Sequence, residues 1–190
     1  MILQVPDCLH ALEGRGIQQI EGNHLAYLAN QVKPEHAILE LGSYLGKTAC
    51  YMAWGSKGAR VYSVDLWDEG PHKEAQKPGR YYEWVKQVER IGLIEQITPL
   101  KFDFNRLAEF WDKPIGLLYI DGQHTYKAVL QDYFTWKDFV VSNGYIAFHD
   151  YKPDKFPGVV KAIEEVVIPE GTWEPLALYG SVYSFSKRSE

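Results

Sequence analysis

The chain is poor in the features that mark special classes of protein. It has only two cysteines, Cys8 and Cys50, in 190 residues. Two thiols build no disulfide framework and lie at no metal-ligand spacing, which excludes a cysteine-stapled fold and fits a reducing compartment. There is no run of lysine or arginine, and the net charge is −5. Neither a nucleic acid nor an anionic membrane surface is therefore expected as a partner. The apolar stretches are strand-sized, too short to cross a bilayer. The N-terminus has no charged segment leading into an apolar run, so no signal peptide is read and a cytoplasmic location is expected. Internal repeats, low-complexity tracts and long linkers are absent as well. What is left is a length suited to one domain over residues 1–190, with 1–15 as an N-terminal extension. Aromatics are plentiful, at 14% with six Trp, and serve first as core filling.

Short apolar runs alternate with amphipathic segments along nearly the whole chain. The strand-like runs are Ala37–Leu41, Val61–Leu66, Ile97–Phe102, Ile115–Ile120 and Tyr145–Phe148. Between them, helical spacing appears at 16–32, Lys47–Gly55, Arg80–Ile91, Arg106–Trp111 and Thr125–Val141, with a further helix at Val159–Val167. Asn143-Gly144 reads as the C-cap of the long helix. Asp68–Gly79 is polar and rich in breakers, and reads as a mobile loop. Trp173–Leu178 and Ser181–Phe185 read as a hairpin around Tyr179-Gly180. Such alternation implies an α/β fold with a parallel sheet covered on both faces. Ligands then bind at the carboxyl ends of the strands, where Gly42, Asp65, Asp103, Asp121 and Asp150 fall.

Gly42-Ser-Tyr-Leu-Gly46 joins the first strand to a helix, a place for a nucleotide-type ligand. A phosphate loop needs four residues between its glycines before Lys-Thr, and here there are three. A dinucleotide fold needs a middle glycine where this loop has Ser43 and Tyr44. S-adenosylmethionine (SAM) carries no phosphate and needs neither. Its cationic tail suits Glu40, and its ribose diol suits a carboxylate at the end of strand two, Asp65. Asp103 is placed to reach an adenine amino group, with Trp67 or Phe104 packing on the base. Gly42, Ser43 and Gly46 complete the cofactor candidates.

A second cluster ends the next two strands: Asp121-Gly-Gln-His124 and His149-Asp150. Neighbouring carboxylates are costly unless a cation lies between them. Mg²⁺ would take oxygens from Asp121 and Asp150, with His149 a further candidate ligand, and would polarise a bound hydroxyl. His124, with an ordinary pKa near neutrality, is the natural base. His10, His24 and His36 read as surface or packing residues. His72, in the loop, is a candidate to face substrate.

With these residues in view, a family resemblance emerges. Ile38-Leu-Glu-Leu-Gly-Ser-Tyr-Leu-Gly-Lys-Thr resembles motif I of class I SAM-dependent methyltransferases. Tyr119-Ile-Asp-Gly-Gln-His-Thr-Tyr and Ala147-Phe-His-Asp-Tyr resemble the methyltransferase-24 family, which includes metal-dependent sugar O-methyltransferases and cephalosporin hydroxylase-like proteins. The resemblance, over about 16–187, implies a Rossmann-like, seven-stranded, mostly parallel sheet with an antiparallel last strand. It implies SAM contacts at Gly42, Ser43, Asp65 and Asp103, and Asp121 is a further cofactor-binding candidate. It implies metal held at Asp121, His149 and Asp150, with His124 as base. His149 departs from the family pattern, which has an acidic residue there. The expected function is O-methyl transfer to a small hydroxylated acceptor. A SAM- or nucleotide-binding module without turnover and an NAD-dependent oxidoreductase are the alternatives. The acceptor, and whether the chain forms a homo-oligomer, stay open.

Overall fold

The computed structural model describes residues 3–14, 17–68 and 77–189. A short helix α1 (Asp7–His10) and helix α2 (Gln19–Gln31) precede the first strand. Then β1 (Ala37–Leu41), α3 (Lys47–Gly55), β2 (Val61–Asp65), α4 (Arg80–Ile91), β3 (Ile97–Lys101), α5 (Phe104–Ala108) and β4 (Ile115–Ile120) alternate. They are followed by α6 (Tyr126–Trp136), β5 (Val140–Phe148), α7 (Pro157–Ala162), β6 (Trp173–Tyr179) and β7 (Val182–Lys187). The seven strands form one sheet in the order β3-β2-β1-β4-β5-β7-β6. Strands β1 to β5 pair in parallel, while β7 runs antiparallel to both β5 and β6. The family resemblance implies this sheet with its antiparallel last strand, and the sequence pattern itself reads the closing hairpin. Among the described residues, no helix is long and apolar enough to cross a membrane.

The period-two alternation of the strands builds two cores. Ile38, Val61, Leu117 and Tyr119 point to the face covered by α2, α3 and α4, where Leu25, Leu28, Met52, Trp84 and Val88 pack. Leu39, Leu41, Leu118, Ile120 and Phe148 point the other way, against Val129, Tyr133, Trp136 and Ile163 from the α6 and α7 side. Glu40 shares its face with Ile38, two residues before it. It is therefore aimed into the first core, opposite Ser63 in the β1–β2 register.

Two expectations change. The long helix ends at Trp136, a 3₁₀ turn covers Lys137–Phe139, and strand β5 already begins at Val140. Asn143-Gly144 is not a helix cap but part of an irregular stretch of β5: the register moves from Ile115↔Val140 to Leu117↔Tyr145, and Asn143 takes φ +61°. Asn tolerates that conformation at a bulge as readily as at a cap, so the dipeptide alone did not decide between them. The second change concerns residues 1–15. Its described part packs on the domain rather than trailing from it. Leu9 and Leu12 are buried, Lys47 donates to the His10 carbonyl (3.0 Å) and Gln87 donates to the Glu13 carbonyl (2.7 Å).

Candidate active site

The carboxyl ends of β1, β2, β4 and β5 open onto a cavity of about 810 Å³. That is ample for a nucleoside-sized ligand with a second small molecule beside it. The glycine loop forms one wall. Gly42 has φ +93°, and a Cβ there would lie 2.2 Å from the Asp121 carbonyl oxygen, so β1 and β4 approach at a distance only glycine allows. Ser43, Tyr44, Leu45, Lys47 and Thr48 continue the wall. Gly46 does not line it. It caps α3 in the left-handed conformation, and a Cβ there would meet the Trp84 indole at 2.5 Å.

The acidic residues around the loop do other work than free carboxylates would. Asp65 lines the cavity, yet its Oδ2 accepts from the amides of Ser43 (2.9 Å) and Tyr44 (2.8 Å), and its Oδ1 from the amide of Trp67 (2.8 Å). It braces the glycine loop and keeps about one lone pair for a ligand. Glu40 is 0% exposed and is not among the residues that line the cavity. Ser63 donates to its Oε2, Ser43 and Ser63 bond each other at 2.8 Å, and Trp84 donates to Ser43 (2.9 Å). Burial pushes the Glu40 carboxyl up to about 8, assisted by Asp121 and Asp65. It is therefore neutral near pH 7, not the anion expected from the sequence. Its Oε1 has no hydrogen-bond partner among the described residues. The expectation for Trp67 fails: the indole is fully buried against Tyr81 and Trp84 and donates to the Tyr44 carbonyl (3.0 Å). Its position right after β2 suggested the cavity, but its φ of +47° accompanies a ring turned into the core.

Asp103, Phe104 and Asn105 lie at the β3 end of the cavity. Asp103 is exposed and caps α5, its Oδ1 accepting from the amides of Asn105 and Arg106 at 3.1 Å. Behind them stands Asp132 of α6, missed from the sequence because a lone polar residue in a helix reads as a solvent-facing one.

At the other end, β4 and β5 deliver Asp121, His124, His149 and Asp150. The ligand atoms of Asp121, His124 and Asp150 all lie within 4.8 Å of one another. His124 Nε2 is 3.0 Å from Asp150 Oδ2 and 3.8 Å from Asp121 Oδ1, but too far off line for a hydrogen bond. The ring lies against Phe156, centroids 4.3 Å apart. The carboxylates of Asp121 and then Asp150 push His124 up to about 9. At neutral pH it is protonated unless another cation shares those carboxylates, which corrects the expectation of an unperturbed base. His149 is also moved from its expected role. It is 4% exposed and stands outside the converging trio, with Nδ1 3.1 Å from Asp121 Oδ1 and Nε2 3.8 Å from Glu21 Oε2. Burial opposes its charge, but Asp121 and Glu21 overcome that and lift it to about 10. His72 falls within 69–76, outside the described residues.

Glu21 is the other residue the sequence did not reveal. It is fully buried in α2, and its Oε1 accepts from the amide (2.6 Å) and hydroxyl (2.8 Å) of Ser181, 160 residues away. Burial opposes its charge, but His149 and these donors hold it down at about 2. It anchors His149 from behind as an anion. No short-range pattern connects α2 to the turn between β6 and β7, so nothing in the sequence pointed to it.

The chain is similar to known proteins. An uncharacterized protein of Acanthamoeba polyphaga mimivirus is 26% identical over 160 residues, which cover 80% of this chain and 69% of that protein. The solved O-methyltransferase NovP superposes with a TM-score of 0.68 at 14% identity, over 90% of this chain and 82% of NovP. A Klebsiella pneumoniae structure described as an O-methyltransferase superposes with a TM-score of 0.73 at 15% identity, over 97% and 87% of the two chains. At those identities the superpositions establish the fold, that of class I methyltransferases. A family model described as a methyltransferase domain matches residues 39–151, from the end of β1 to just past Asp150. The chain belongs to this methyltransferase-24 family.

Proposed function

We propose that the protein transfers a methyl group from SAM to a hydroxyl of a small acceptor, with a divalent cation assisting. The observation that carries this reading is one cavity holding both the Gly42 loop at one wall and the Asp121–His124–Asp150 trio at another. The cofactor end fits SAM on two features. The loop brings backbone close to any ligand, because no Cβ fits at Gly42. Asp65 lines the same end and keeps an acceptor lone pair for a ribose hydroxyl.

The trio fits a hard cation, with two carboxylates supplying oxygens and His124 within reach. When bound there, such an ion polarises the acceptor hydroxyl and lowers its pKa. The remaining work belongs to the chain. Asp121 and Asp150 orient the acceptor. His124, in its neutral form, takes the hydroxyl proton onto its ring as the oxygen attacks the methyl carbon. The C–O bond forms, the C–S bond breaks, and the sulfonium leaves as a neutral thioether. Most of the acceleration comes from holding the two reactants in line within one cavity.

The test is a turnover assay on a panel of small phenols and sugars with SAM, with Mg²⁺ and with EDTA, beside thermal shifts with SAM, its demethylated product S-adenosylhomocysteine (SAH), and NAD. Methyl transfer that EDTA abolishes is expected. Transfer insensitive to EDTA removes the cation and leaves His124 alone as base. A thermal shift with NAD and none with SAM or SAH overturns the reading, and SAM binding without turnover on any acceptor reduces it to a binding module.

A further inference from the structure

Asp132 is the one cavity-lining carboxyl that neither the sequence nor the acidic trio accounts for. It is only 5% exposed, yet its side chain makes no hydrogen bond or ion pair among the described residues. A carboxyl so buried costs stability unless a donor meets it. Its surroundings define that donor. A Cβ built on Gly122 would lie 3.1 Å from Asp132 Oδ2 and 2.9 Å from Phe104 Cε2, so an aromatic ring and a carboxyl flank the same bare backbone. The three meet on the cavity wall, on the β3 side of Gly122, with Asp103 beside them. A metal ion does not answer to this place, because the only metal-competent group among the described residues is the trio at the other end. A flat ligand carrying an N–H donor on its edge does.

We infer that Asp132 is the residue that reads the 6-amino group of the SAM adenine, with Phe104 against the base plane. The sequence suggested Asp103 for this contact. Asp103 instead spends one oxygen capping α5 and sits exposed at the rim. Asp132 is the better reader because its carboxyl is set into the cavity wall and has no competing partner among the described residues, so the amino group supplies a directed donor in place of cavity water. Burial, followed by the neighbouring Asp103, also lifts the Asp132 carboxyl to about 7, and a donor from the ligand relieves that cost.

The inference rests on SAM being the cofactor, and its test separates the two. Affinities are measured by calorimetry for SAH and for an SAH analogue with hydrogen in place of the 6-amino group. They are measured on the full chain, on Asp132→Ala and on Asp132→Asn. The native chain should bind SAH more tightly than the analogue, on the order of tenfold. Asp132→Ala should bind SAH weaker by a similar factor and prefer it much less over the analogue, since the two deletions remove the same contact. Asp132→Asn keeps a carbonyl acceptor and should restore most of the preference. Equal binding of the two ligands by the native chain overturns the inference without any variant. So does an undiminished preference in Asp132→Ala. If the native chain binds neither ligand, the SAM reading itself has failed. A purely structural Asp132 would change the melting temperature of Asp132→Ala and leave the ligand preference as it was.

Discussion

Two residues of the candidate site depart from their ordinary protonation at pH 7, Glu40 by being neutral and His124 by being charged. Glu40 has its carboxyl held up to about 8 by burial, against an ordinary 4.5. A carboxyl raised in the folded state contributes stability that is whole below about 4.5 and is lost as pH rises through about 8. Replacing it with Gln, which mimics the neutral acid, should leave the fold intact at pH 7. The Glu40→Gln protein should also keep more of its stability between pH 7 and 9 than the native chain does. Urea denaturation at several pH values measures this, and a variant that loses stability in parallel with the native chain contradicts it. For His124 the expectation is kinetic. His124→Gln should lower turnover by about 10²–10⁴-fold, the range for loss of a general base, with SAH affinity little changed. Equal losses in affinity and turnover would mean a role in assembling the cavity instead.

At the scale of elements, what the sequence revealed was decided by periodicity and glycine. Strands β1 and β4 and helices α3 and α4 fall where apolar spacing and flanking glycines put them. Even Glu40's burial follows from alternation with Ile38, once the β1–β2 register that faces it with Ser63 is known. The misreadings share a cause. Asn143-Gly144, Trp67 and the described N-terminal segment each needed knowledge of what lies across from them: β4, the α4 aromatics, and α3 with α4. Asp132 and Glu21 were missed for the same reason, since partners distant in sequence give a buried acid its meaning. The β1–α3 connection tolerates little change. Gly42→Ala places a methyl 2.2 Å from the Asp121 carbonyl at φ +93°, so β1 and β4 must part. A loss of about 1–3 kcal/mol is expected from a strained backbone of this kind. Cofactor affinity should fall too, because Asp121 moves with the clash. A Gly42→Ala protein with native melting and native SAH affinity would show that the loop relaxes freely.

Across the whole molecule, three anions, Glu21 of α2 and Asp121 and Asp150 at the strand ends, gather around two imidazoles. Glu21 is pinned as an anion near 2, Asp121 and Asp150 are held below the usual carboxylate range by the histidines, and His124 and His149 stand at about 9 and 10. The histidinium charges are thus the counter-ions of the site. A histidine raised in the folded state contributes stability that is complete below about 6.5 and lost as pH climbs through its folded pKa. In EDTA the protein should therefore weaken progressively from about pH 7 to pH 10. A divalent cation binding the same carboxylates competes with the His124 proton, so the two equilibria are linked. Following the His124 ring resonance by NMR, its midpoint should lie near 9 in EDTA and move toward neutrality as Mg²⁺ is added. The His149 midpoint should move less, because its second anion, Glu21, lies outside the trio. Under the proposed mechanism this shift would make a base of His124: with a proton bound at pH 7.5 the ring cannot accept one, and with a cation on Asp121 and Asp150 it could. A His124 midpoint that ignores Mg²⁺ up to millimolar concentration would mean that the trio holds no cation. The pH optimum of turnover would then have to lie above 9, where His124 frees itself.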